Sequence, residues 1–195
     1  VANAVLSLID LGRLQGAFHE LNTLYTERPA AALSNALGVV QVRRGPTPGV
    51  APPAFYFTRA AGEDPGNPDY LFNLGYASAL AHDAEAALLW LREDVRYEAR
   101  NGDAHLVMSS VLAGAGRLVE AQRELDLARL LGARAAGSAP VPIDRLPARL
   151  ERLRADLDPA PLDRLAAAGA PAQKDQQEAA AFELDRGRRL LDARN

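Results

Sequence analysis

Cysteine is absent from the 195 residues, which removes disulfides, thiolate metal sites and thiol redox chemistry. Aromatic residues are scarce, at 6% against 48% apolar overall. The apolar content is therefore mostly alanine and leucine, both strong helix formers. Runs of β-branched residues are missing too, which argues against a sheet. No uninterrupted apolar stretch reaches the ~18 residues that a membrane span needs, so no membrane insertion is expected. Nor is there a basic excess: 22 Lys and Arg against 25 Asp and Glu leave a formal net charge of −3. That balance disfavours nucleic acid as a partner, because phosphate binding needs a cationic footprint. An all-α protein is what remains.

Catalytic constellations are equally thin. The three histidines, His19, His82 and His105, form no i, i+4 pair and lie in no ligand triad, so neither a metal nor a cofactor is expected. Glu93-Asp94 and Glu183 with Asp185 read as solvated helix faces rather than acid/base pairs. Gly114-Ala115-Gly116-Arg117 superficially resembles a phosphate loop, but it lacks a preceding strand and a following Lys-Ser/Thr. The expectation is a protein that is not an enzyme.

What is present is a period. Ala87, in His82-Asp83-Ala84-Glu85-Ala86-Ala87, and Ala121, in Gly116-Arg117-Leu118-Val119-Glu120-Ala121, stand at an offset of 34 in the numbering. Each leads into a second apolar run, through Leu88, Trp90 and Leu91 in one copy and Leu125 in the other. Gly12-Arg13-Leu14-Gln15-Gly16-Ala17 repeats the grammar close to three such periods before Gly116. Leu37-Gly38 matches Leu74-Gly75. A 34-residue period of two helices and two short turns resembles the tetratricopeptide repeat family.

That resemblance implies a right-handed α-α superhelix of helix-turn-helix units. The units fall at about 1–29, 31–67, 68–101 and 102–131, followed by a Gly/Ala/Ser/Pro loop over 132–142 and C-terminal helices over 143–195. In the second unit Gly45 to Pro53 carries four prolines and cannot be continuous helix, so an insertion of about three residues relative to the family spacing is expected in that turn. Gly38 and Gly75 sit in helix interiors, where glycine costs about 0.5–1 kcal/mol relative to alanine. The compensation expected is a close approach between the two helices of a hairpin.

In this family the first helices line a concave groove that holds an extended or helical peptide. Carried over by position, the groove residues are Asn35, Val39 and Arg43, then Asp69, Phe72, Asn73 and Tyr76, then Leu106 and Ser110. An amide at Asn73 can bond a peptide backbone through both its donor and its acceptor. Phe72 and Tyr76 offer rigid apolar surface, or alternatively pack against the next repeat. One sub-class clamps a C-terminal carboxylate with Lys and Arg. Asn73 matches that clamp's asparagine, but Asp103 and Val107 occupy its basic positions, so a less acidic, more apolar peptide is the expected ligand.

Beyond Leu131 the period is lost. Ile143, Leu146, Leu150, Leu153 and Leu157 recur at steps of three and four, which predicts an amphipathic helix starting near Leu146. It would serve either as a polar cap on the last repeat or as a linker. A short helix over Leu162–Ala168 and a longer one over Lys174–Arg194 are expected beyond it. Phe182 and Leu190 on the last helix motivate an alternative function, self-assembly as a homodimer through terminal helices. The leading expectation is a non-catalytic adaptor for a protein or peptide ligand. The chain opens on Val1 inside an apolar helical pattern, which reads as part of a longer protein, and its Ala/Arg/Leu usage leans towards the bacterial cytoplasm.

Overall fold

The computed structural model describes Ile9, residues 12–147 and residues 149–153. The first expected helix (apart from Ile9), the helices beyond 157, and Phe182 and Leu190 lie outside the described residues. Among the described residues there are seven α-helices, one 3-10 turn and no strand. The helices are α1 (Leu14–Glu27), α2 (Ala31–Arg44), α3 (Pro53–Glu63), α4 (Pro68–Leu80), α5 (Ala84–Tyr97), α6 (Gly102–Gly114) and α7 (Leu118–Leu130). They are paired as the hairpins α2–α3, α4–α5 and α6–α7, each stacked on the next, with α1 against α2.

The hairpins close on small residues. A Cβ added to Gly38 would stand 2.5 Å from the Phe57 ring, and one added to Gly75 would stand 2.7 Å from Leu91 Cγ. Phe57 follows Gly38 by 19 residues, whereas Leu91 follows Gly75 by 16. The three extra residues are taken up in the proline-rich connection between α2 and α3. In the third hairpin Ser109 holds the glycine position, one full period after Gly75. Its hydroxyl donates to the Ala121 carbonyl at 2.8 Å, so a hydrogen bond across the hairpin accompanies the close contact. Ala87 and Ala121 are fully buried.

Local chemistry fixes the helix starts. Asn67, Asp83 and Asn101 each accept a backbone N–H from the first turn that follows, at 3.0–3.2 Å, as N-caps should. Pro53 and Pro68 stand at the first positions of α3 and α4, where their missing N–H costs nothing. The turn between α4 and α5 takes a left-handed residue at His82 (φ 58°), and its sister turn uses Gly116 (φ 74°). His82 is exposed and gains nothing visible from this conformation. Replacing His82 by glycine should therefore raise stability by about 0.5–1 kcal/mol, measured by urea denaturation.

The amphipathic helix expected from Leu146 does not form within the described residues. Ile143–Arg145 is a 3-10 turn, Leu146 is extended (φ −64°, ψ 151°), and no helix covers 149–153. Pro147 supplies one reason, since a residue before proline is pushed out of the helical region. The leucine stripe supplies the other. Ile143, Leu146 and Leu150 pack on the core around Phe72, Leu91 and Met108, while Leu153 packs on the core around Phe57 and Leu74. Off a helix these apolar residues are not confined to one stripe, and they reach two clusters of the core instead.

Candidate functional site

The first helices α2, α4 and α6 present one face, and residues 149–153 lie across it as a strap. Asn73, on α4 and fully buried, grips a single residue of that strap by its backbone. Its Nδ2 donates to the Arg152 carbonyl at 2.7 Å, and its Oδ1 accepts the Arg152 N–H at 2.6 Å. Asn35, on α2, donates to the same carbonyl at 3.0 Å and accepts from Asn73 Nδ2 at 2.7 Å. Two adjacent carboxamides thus satisfy both backbone polar groups of one strap residue. No side-chain identity is needed for that grip.

The side chains of the strap are held as well. Arg43, at the end of α2, pairs with the Glu151 carboxylate, whose side chain is only 1% exposed. The Arg152 guanidinium reaches the other way, donating to Asp103 at 2.9 Å and to Asn101 Oδ1 at 3.1 Å. It also lies 4.8 Å above the Phe72 ring, a cation–π distance. Phe72 in turn stacks on Tyr76 with ring centroids 6.2 Å apart. Burial, aided by the nearby Glu151 charge, pushes the Tyr76 phenol up to about 12, so it stays neutral across the physiological range.

Behind Arg152 stands a buried acid. Asp94, on α5, is 0% exposed and accepts from Asn101 Nδ2 at 2.8 Å. Its other carboxylate oxygen has no hydrogen-bond partner. Burial raises its carboxyl to about 7, against the lowering effect of the Asn101 hydrogen bond; Glu98 adds to the rise and Arg152 opposes it. The reading of Glu93-Asp94 as a solvated face is corrected here. Glu93 pairs with Arg96 at the surface, whereas Asp94 faces inward. It stands one period after Ala60 and one period before Ala128, which are fully buried themselves.

The nine positions carried over from the family divide accordingly. Asn35, Arg43, Phe72 and Asn73 touch the strap directly, and Tyr76 supports Phe72. Asp69 lies half-buried in the first turn of α4, and its charge raises Asp94 slightly. Val39 is core, packed with Phe57, Leu71 and Leu74. Leu106 is core too, against Leu125 and Ala128. Ser110 returns its hydroxyl to the Leu106 carbonyl at 3.3 Å and lines a small cavity closed by Pro142, Ile143 and Asp144.

Sequence reasoning set Asp103 at a position of the carboxylate clamp but counted neither it nor Asn101 among the groove residues. A usable signal existed for Asp103, which follows Asp69 by one full period. Among the described residues there is no cluster of three or more groups able to hold a metal ion. No helix among them is long and apolar enough to cross a membrane.

The fold has solved counterparts. MamA AMB-1 superposes with a TM-score of 0.59 at 19% sequence identity, over 68% of this chain and 78% of that one. MamA MSR-1 gives 0.57 at 20% identity, over 67% and 74% respectively. Both are TPR-like helical proteins, so this chain has the all-α helical repeat fold. No family model matches the sequence, and no curated protein matches it.

Proposed function

We propose that the repeats form a non-catalytic protein-binding module whose α2–α4–α6 face takes an extended segment of a partner. The observation that supports this reading is the double grip of Asn73 on the Arg152 backbone, seconded by Asn35. Backbone recognition of this kind suits an extended chain, while Arg43, Asp103 and Phe72 stand beside it to choose among sequences. Asn35, Arg43, Phe72 and Asn73 are the residues assigned to binding, with Tyr76 as a positioning residue. A displayed library of extended peptides, selected on the chain, tests this directly. Loss of two hydrogen bonds costs about 1–3 kcal/mol, so Asn73→Ala should weaken the selected peptides by roughly 5- to 150-fold. Peptides that bind the variant and the parent alike would remove the reading.

A second reading, self-association, draws on a different surface. Leu118, Val119 and Leu130 on α7 are 65–80% exposed, more than a closed array end requires. Sizing at several concentrations separates the two readings, since a strictly monomeric chain excludes the second and leaves the first intact.

A further inference from the structure

We propose that residues 149–153 are an internal stand-in for the partner, and that the partner segment therefore carries a glutamate followed directly by an arginine and an apolar residue. This inference rests on the peptide-binding reading above and specifies its ligand. The order of the two charges follows from the site. The Glu151 and Arg152 side chains leave the strap towards separate partners, and those partners differ in sign. Arg43 receives the Glu151 carboxylate on one side; Asp103 and Asn101 receive the Arg152 guanidinium on the other. Exchanging the two residues would set a guanidinium against Arg43 and a carboxylate against Asp103. Leu153 then drops onto the apolar cluster shared by α2, α3 and α4.

The strap also sets a threshold. It is tethered to α7 through residues 131–148, and a short tether holds its end at an effective concentration on the millimolar scale. A partner must displace it, so its apparent affinity falls by the fraction of molecules with the strap undocked. The strap thereby admits only segments that reproduce its own contacts. Weak, non-specific extended peptides are kept out.

The test uses the full chain and a nine-residue synthetic peptide of residues 147–155, Pro-Ala-Arg-Leu-Glu-Arg-Leu-Arg-Ala, labelled for fluorescence anisotropy. A control peptide exchanges the central Glu and Arg. In a chain whose strap is weakened by Glu151→Ala and Arg152→Ala, the first peptide should bind at least tenfold more tightly than to the unaltered chain. It should also bind at least tenfold more tightly than the control, and Asn73→Ala in the same background should abolish both differences. Arg152→Ala alone, which leaves Glu151 paired, should give an intermediate gain if the double variant folds poorly. Equal binding of the two peptides to the weakened chain would overturn this inference while leaving the binding face in place. Binding of neither peptide would overturn the peptide-binding reading itself. A concentration-dependent dimer of the unaltered chain that dissociates on adding the peptide would assign the site to a second copy and overturn a separate partner.

Discussion

Replacing Gly75 by leucine should lower the melting temperature by roughly 6–12 °C, the consequence of losing about 3 kcal/mol in a chain of this size. The reason lies in what the new side chain meets. Its Cβ alone would come within 2.7 Å of Leu91 Cγ and 3.1 Å of the Leu91 backbone nitrogen. A rotamer change of Leu91 can relieve the first contact but not the second, so α4 and α5 must move apart. Ala121→Leu, at a fully buried position on the facing side of the third hairpin, should act in the same direction. Glu120→Lys alters only an exposed pair with Arg117, and exposed pairs contribute about 0–1 kcal/mol. Thermal unfolding of the three variants, followed by circular dichroism, checks the scheme. Equal shifts for all three would refute it.

Asp94→Asn should stabilise the chain above pH 7 and leave it nearly unchanged near pH 4. The carboxyl titrates at about 7 in the folded state against an ordinary 3.8, so between those values the folded chain holds a proton that the unfolded chain has released. Stability therefore falls as pH rises through that window, and the loss is complete above the folded value. A shift of this size corresponds to a cost on the order of 4 kcal/mol for keeping the buried group ionised. Asparagine has the same shape, can still accept from Asn101, and carries no charge. The difference in melting temperature between variant and parent should open between pH 4 and pH 7 and then level off. A difference that is flat across that range would show that Asp94 is not buried as an acid.

The position of Asp94 connects this stability cost to the binding face. Its sister positions Ala60 and Ala128 show that the fold packs well with a methyl group there. Asp94 instead holds Asn101, and Asn101 both caps α6 and receives the Arg152 guanidinium. The unfavourable burial of one carboxylate is thus tied to the orientation of a side chain that reads the strap. Strap docking and Asp94 ionisation favour each other, because the Arg152 charge lowers the Asp94 carboxyl. Acidification through pH 7 should accordingly loosen the strap while raising global stability.

Much of the hairpin architecture was legible because it is carried by short-range rules. Asn67-Pro68-Asp69 announces a helix start, Gly38 and Gly75 announce close approach, and the recurring offset places one hairpin on the next. The chemistry of Asn73 could also be read from its amide alone. The strap could not. Ile143, Leu146, Leu150 and Leu153 have a helical spacing, and only the neighbouring hairpins decide that an irregular path satisfies them better. Pro147 was the local warning, and its effect on Leu146 outweighs the periodicity. Val39 and Leu106, assigned to the groove by the same carry-over, are core residues; at the matching positions of α4, Tyr76 and Phe72 stand at the strap. Asp94 was read from its charge, whereas its register with Ala60 and Ala128 decides its burial.

The Arg152 amide offers the most direct measurement of whether the first helices hold the strap by its backbone. That N–H donates to the buried Asn73 Oδ1, so hydrogen exchange followed by NMR should find it slowed at least tenfold relative to a free peptide of residues 147–155. Asn73→Ala should return it to the free-peptide rate without unfolding α4. An Arg152 amide that exchanges in the parent chain as fast as in the free peptide would contradict the account.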